Sequence, residues 1–152
     1  MVKLRWDESM SAAGNARLRL PALARAYFSS GRKLVEAPAR PALLHRFRLD
    51  TKALRYTLEL FGPCYGPGLD RRLSVLRRIQ SFLGAINDYS TTMEMLAGGR
   101  AQGGPELVRA RELLAARARR KILEFRRYAN RLFHDQAEER RWVLYLSRPR
   151  QC

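Results

Sequence analysis

Apolar residues recur at steps of three and four along most of this chain, and prolines and glycines cut the pattern into four long segments. The first runs from about Pro21 to Glu36, with Pro21 suited to a first helical turn. The second runs from about Pro41 to Phe61. The third, from about Leu69 to Ala97, sets Leu69, Leu73, Leu76, Leu83 and Ile86 on one face. The fourth, from about Pro105 to Phe133, does the same with Leu107, Leu114, Ile122, Phe125, Ala129 and Leu132. A shorter piece, about Gln136 to Leu146, either extends the fourth helix or forms a fifth. Trp142 to Leu146 admits a strand, but no convincing partner strand exists elsewhere, so helix is expected. Four helices with short connections predict an all-α fold, an antiparallel four-helix bundle. The breaks are too short to separate domains, so residues 1–152 form one domain, with about the first 15 residues as a flexible segment.

Two of these helices carry a second, polar stripe. In the second, Leu44, Phe47, Leu54, Leu58 and Phe61 form the apolar file. A shift of one position puts His45, Arg48, Lys52, Arg55 and Glu59 on the adjacent face. In the third, Leu76, Ile79, Leu83 and Ile86 are flanked in the same way by Arg77, Gln80, Gly84 and Asn87, with Asp88 following. Like charges at helical spacing repel, and a bound polyanion would offset that repulsion. Gly84 would let a helix or a ligand approach the backbone closely.

Charge reinforces this picture. The chain has 30 basic and 14 acidic residues, a formal net charge of +16. From residue 100 onward there are 14 basic and 6 acidic residues, so each part carries +8 and the charge is not a tail. Lysine occurs only at 3, 33, 52 and 121; the other basic residues are arginines, whose planar forks suit bidentate phosphate contacts. An acidic partner is implied. No apolar run approaches a membrane span, and the N-terminal residues lack a signal-peptide pattern. Cys64 and Cys152 are read as isolated thiols in a reducing cytoplasm, and with two histidines they do not make a metal site.

The two striped segments together resemble the CHAD family, the conserved histidine α-helical domain. The family pattern LHxxRIxxKxLRYxxELF is similar to Leu44-His45, Arg48-Leu49, Lys52, Leu54-Arg55-Tyr56 and Glu59-Leu60-Phe61. The pattern LKxLQxxLGxxND is similar to Leu76-Arg77, Ile79-Gln80, Leu83-Gly84 and Asn87-Asp88, with arginine and isoleucine replacing lysine and leucine at 77 and 79. The resemblance implies a helical domain that binds inorganic polyphosphate through a basic channel. Family members usually contain two four-helix halves, whereas this chain holds one, so the resemblance further implies a homodimer that rebuilds the channel.

The expected polyphosphate-binding residues are His45, Arg48, Lys52, Arg55, Arg77 and Tyr56, joined by Arg120 and Arg127 from the fourth helix. Arg119 and Arg126 form an alternative file there. Arg48, Lys52 and Arg55 span roughly 10 Å of helix, enough for several successive phosphates. Tyr56 is expected as a core residue or wedge whose hydroxyl can also reach a phosphate. Asn87, Asp88 and Glu59 are expected to hold arginines in position, and Arg46, Arg71 and Arg72 to form a solvated face. The protein is therefore expected to be non-catalytic and without a cofactor: it lacks a Walker-type loop, and its acidic residues are scattered. Localisation is expected in the cytoplasm, with association to polyphosphate granules. Nonspecific nucleic-acid binding is the alternative that the charge allows.

Overall fold

The computed structural model describes residues 7–98 and 104–150, and among them every regular element is helical. The elements are α1 (Ala12–Glu36), α2 (Pro41–Leu60), α3 (Gly68–Gly98), α4 (Pro105–His134) and α5 (Gln136–Leu146), with one 3-10 turn at Gly62–Cys64. Pro41 and Pro105 open α2 and α4, where the missing N–H costs nothing.

The first helix begins earlier than its proline suggested. Ser11 is the N-cap, accepting from the Gly14 N–H at 3.1 Å, and Pro21 lies inside the helix. Asn15, fully buried, explains the early start. Its Nδ2 donates to the carbonyls of Asp7, Met10 and Ser11, and its Oδ1 accepts from the Asp7 N–H at 3.0 Å. From Asp7 onward, the segment expected to be flexible is thus latched onto the first turn of α1; residues 1–6 lie outside the described residues.

Cross-contacts give the topology. Tyr27 stacks on Phe47 at 5.1 Å and its hydroxyl meets Thr51 Oγ1 at 2.9 Å, joining α1 to α2. Phe82 packs against Phe125 and Arg78 lies over the Tyr128 ring, joining α3 to α4. Arg126 and Arg32 tie α4 back to α1 through the carbonyls of Val35 and Phe133. Each pairing is antiparallel. Helices α1 to α4 form a four-helix bundle in cyclic order, with α2 and α4 diagonally opposed. The fifth helix is separate: Asp135 interrupts α4 and caps α5 by accepting from the Ala137 and Glu138 N–H groups. It then packs along α1.

The centre of the core is aromatic. Phe133 makes edge contacts with Tyr27, Phe28 and Phe47, each at 5.6 Å, and Phe28 makes another with Trp142. This corrects the expected core face of α4. Phe125 and Ala129 are buried as expected, but Phe133 fills the core where Leu132 was expected, and Leu107 and Leu114 are only half-buried. The first half of α4 packs on α3 beyond the ends of α1 and α2, so fewer surfaces cover it.

Two further expectations are corrected. Cys64 is buried and disulfide-bonded, not an isolated thiol; Cys152 lies outside the described residues. Arg72 does not belong to a solvated face. It donates to the Gly68 carbonyl at 2.8 Å and the Arg141 carbonyl at 2.9 Å, and its guanidinium lies 3.8 Å from the Tyr145 ring centre. Burial lowers its pKa from the usual arginine value, yet the charge remains. Arg72→Ala removes a hydrogen bond and a cation–π contact between α3 and α5, and one hydrogen bond within α3. We expect a loss of about 2 kcal/mol in stability, measurable by urea denaturation, and a smaller loss on Arg71→Ala at the exposed neighbour.

Candidate polyanion-binding groove

Helices α2 and α3 bring their polar files together. At one end His45 Nδ1 lies 3.3 Å from Asn87 Oδ1. At the other end Glu59 Oε1 accepts from Arg55 at 2.9 Å and from Arg77 at 3.3 Å. The two contacts fix an antiparallel register that sets Arg48 and Lys52 across from Gly84 and Gln80. The core files lie beneath: Leu44, Phe47, Leu54 and Leu58 on α2, and Leu76, Ile79, Leu83 and Ile86 on α3, are all buried. Burial of the apolar files is what turns the polar ones outward along a shared groove.

The charges in this groove are unevenly matched. Glu59 serves two arginines with one oxygen. Among the described residues neither Arg48 nor Lys52 has an ion-pair partner, and the Arg55 Nε–H is buried without a hydrogen bond. Lys52 and Arg55 both lie over the Tyr56 ring, at 5.6 and 4.5 Å from its centre. That contact orders two flexible cations side by side. Tyr56 itself is 50% exposed, so it is neither core nor wedge. Gly84 leaves open space: a Cβ there would meet no atom of a neighbouring element within 4 Å. Among the described residues no helix exploits the close approach that this glycine permits. Beyond His45 the groove widens into a cavity of about 350 Å³ lined by Asn87, Ser90, Thr91 and Glu94.

Not every expected residue joins this groove. Arg120 and Arg127 are exposed on α4, diagonally across the bundle from α2, and Arg120 pairs with Glu124. They do not complete a channel with the α2 file within one chain. In the alternative file, Arg126 donates to the Val35 and Ala37 carbonyls at 2.6 and 3.1 Å, so it caps α1. Among the described residues Asp88 makes no ion pair; Glu59 holds Arg55 and Arg77 as expected, whereas Asn87 meets His45 and not an arginine. The stacking role of Tyr56 was missed from the sequence, although its spacing from Lys52 at i, i+4 was a usable signal.

The family model of the CHAD domain matches residues 2–97 of the 152. The chain belongs to the CHAD family. The match takes in α1, α2 and nearly all of α3, hence every residue of the groove. No curated protein and no solved structure matches this CHAD chain. No helix among the described residues is long and apolar enough to cross a membrane, and no described cluster of His, Cys, Asp or Glu is suited to hold a metal ion.

Proposed function

We propose that this CHAD domain is a non-catalytic binding module for inorganic polyphosphate, with the α2/α3 groove as its site. The observation that carries this reading is the alignment of His45, Arg48, Lys52, Arg55 and Arg77 along one groove with a single carboxylate, Glu59, among them. A linear chain of phosphates requires a row of donors, and the Arg48 and Lys52 side chains, without an ion-pair partner among the described residues, supply two of them. The binding step is exchange of water and counterions for guanidinium–phosphate hydrogen bonds, so affinity falls steeply with salt.

The test is titration with long-chain polyphosphate at fixed salt, against single-stranded and duplex DNA of matched charge. Preference for polyphosphate supports the proposal. Equal binding of all polyanions would favour the nonspecific nucleic-acid alternative, for which the net charge of +16 is the only specific support.

His45 has a geometric test. Its Nδ1 lies 3.3 Å from Asn87 Oδ1, at the end of the cationic file. His45→Gln should weaken polyphosphate binding severalfold, and unchanged affinity in that variant would remove His45 from the site.

A second copy of the chain completes the channel in this proposal. Its support is an uncovered apolar stripe beside the cationic file: Leu49, Tyr56 and Leu60 are 48, 50 and 75% exposed. Sedimentation should show a dimer that Leu60→Asp dissociates. Association with polyphosphate granules fits the same reading.

A further inference from the structure

A second cationic cleft lies elsewhere, between α1 and α5. Its volume is about 850 Å³, within the range of small-molecule sites. The α5 wall comes from residues beyond the segment that the family model matches. Four arginines line it, Arg25, Arg32, Arg140 and Arg141, with His134, against one acidic residue, Glu139. Arg32 is held in place by Glu139 at 2.5 Å and by the Phe133 carbonyl at 3.3 Å, and Arg141 is shared with Glu138. Arg25 and Arg140 are exposed and have no ion-pair partner among the described residues. The cleft also has an apolar side. Pro21, Val143 and Leu144 line it, and Leu144 is 53% exposed.

The two sides follow from helix periodicity. On α5, Gln136, Arg140, Leu144 and Ser147 recur at steps of four and three and line the cleft together. On α1, Pro21, Arg25 and Arg32 do so at four and seven. Each wall therefore carries both cationic and apolar groups. Such a site differs in geometry from the α2/α3 groove, where the cations run as one long file and do not surround a cleft.

We infer that the α1/α5 cleft binds a small organic phosphate, its phosphates on Arg25 and Arg140 and its ring or chain body on Pro21, Val143 and Leu144. A nucleoside polyphosphate is the natural probe, because it combines several negative charges with a flat apolar body. This inference does not depend on the polyphosphate reading of the groove.

The experiment is calorimetric titration of the full chain with ATP, adenosine and inorganic tripolyphosphate at physiological salt, without divalent metal. ATP should bind saturably at one site per chain and more tightly than either fragment. Arg25→Ala/Arg140→Ala should weaken ATP by at least about tenfold. Arg109→Ala/Arg117→Ala, which removes the same charge from exposed positions on α4, should have little effect. Leu144→Ser, at a half-exposed position that does not threaten folding, should weaken ATP but leave tripolyphosphate unchanged. Absence of saturable binding overturns the inference. So does tripolyphosphate equalling ATP, or loss of ATP binding in Arg48→Ala/Lys52→Ala/Arg55→Ala with retention in the cleft variant, since ATP would then be using the groove.

Discussion

Arg48→Ala/Lys52→Ala/Arg55→Ala is expected to weaken binding of long-chain polyphosphate by about 100-fold at physiological salt. Hydrogen bonds to charged groups are each worth about 1.5–3 kcal/mol when both partners are desolvated, and less at an open surface. Arg48 is half-buried, Lys52 exposed, and Arg55 half-buried with its Nε–H fully covered. Discounting for exposure leaves about 1 kcal/mol for each, near 3 kcal/mol together, and each 1.4 kcal/mol is tenfold in affinity. The slope of log affinity against log salt should also fall by two to three contacts' worth. The apolar file one position away is untouched by these substitutions, so the variant should keep its helical signal and unfold cooperatively. Unchanged affinity in the folded variant would mean that the +16 charge acts diffusely, and the groove assignment would fall. The same number of alanines at Arg120, Arg127 and Arg131 serves as the control, because those side chains are exposed on α4, away from the groove.

The largest loss of stability is expected at the aromatic centre. Phe133 is fully buried and touches three other rings, so Phe133→Ala should cost about 3–5 kcal/mol, a large part of the stability of a domain this size. At about 2–4 °C per kcal/mol, the melting temperature should drop by roughly 10 °C. Gly31 makes a sharper test. In an exposed helix, alanine is favoured over glycine by about 1 kcal/mol. Here an alanine Cβ would lie 2.5 Å from Cε1 and Cγ of the Phe133 ring. The ring cannot withdraw, because Tyr27, Phe28 and Phe47 surround it. Gly31→Ala should therefore destabilise by about 1–3 kcal/mol, against its helix propensity. Gly84→Ala, with open space around it, should follow propensity and stabilise slightly. A stable Gly31→Ala protein would mean that α1 and α4 are not packed as described.

Much of this arrangement was legible from residue order. The spacing of Leu44, Phe47, Leu54 and Leu58, and of Leu76, Ile79, Leu83 and Ile86, marked core files that are buried. It therefore marked the cationic files beside them, because a helix turns about 100° per residue whatever surrounds it. Helix starts at Pro41 and Pro105 were equally local, whereas the break at Asp135 that separates α5 from α4 was left open. The start of α1 was not local, because the signal was a buried asparagine whose hydrogen-bond partners reach back to Asp7.

Arginine roles were hard to read for a related reason. Arg72, Arg120 and Arg126 look alike in a sequence, yet one clamps α5, one is exposed beside Glu124, and one caps α1. A guanidinium on a long stem takes its role from whatever carbonyl, carboxylate or ring comes within reach. Only helix–helix register fixes that.

Local periodicity and side-chain chemistry were thus sufficient for four long helices, strong positive charge and a cationic file with the family's motif, since each depends on positions a few residues apart. Packing of distant segments settled the rest: α2 against α3 in a register that joins His45 to Asn87, α4 diagonal to α2, Phe133 at the centre, and a second cleft between α1 and α5. Those features depend on which faces meet across the bundle, and burial of the combined apolar surface selects that arrangement, not the preference of any one helix.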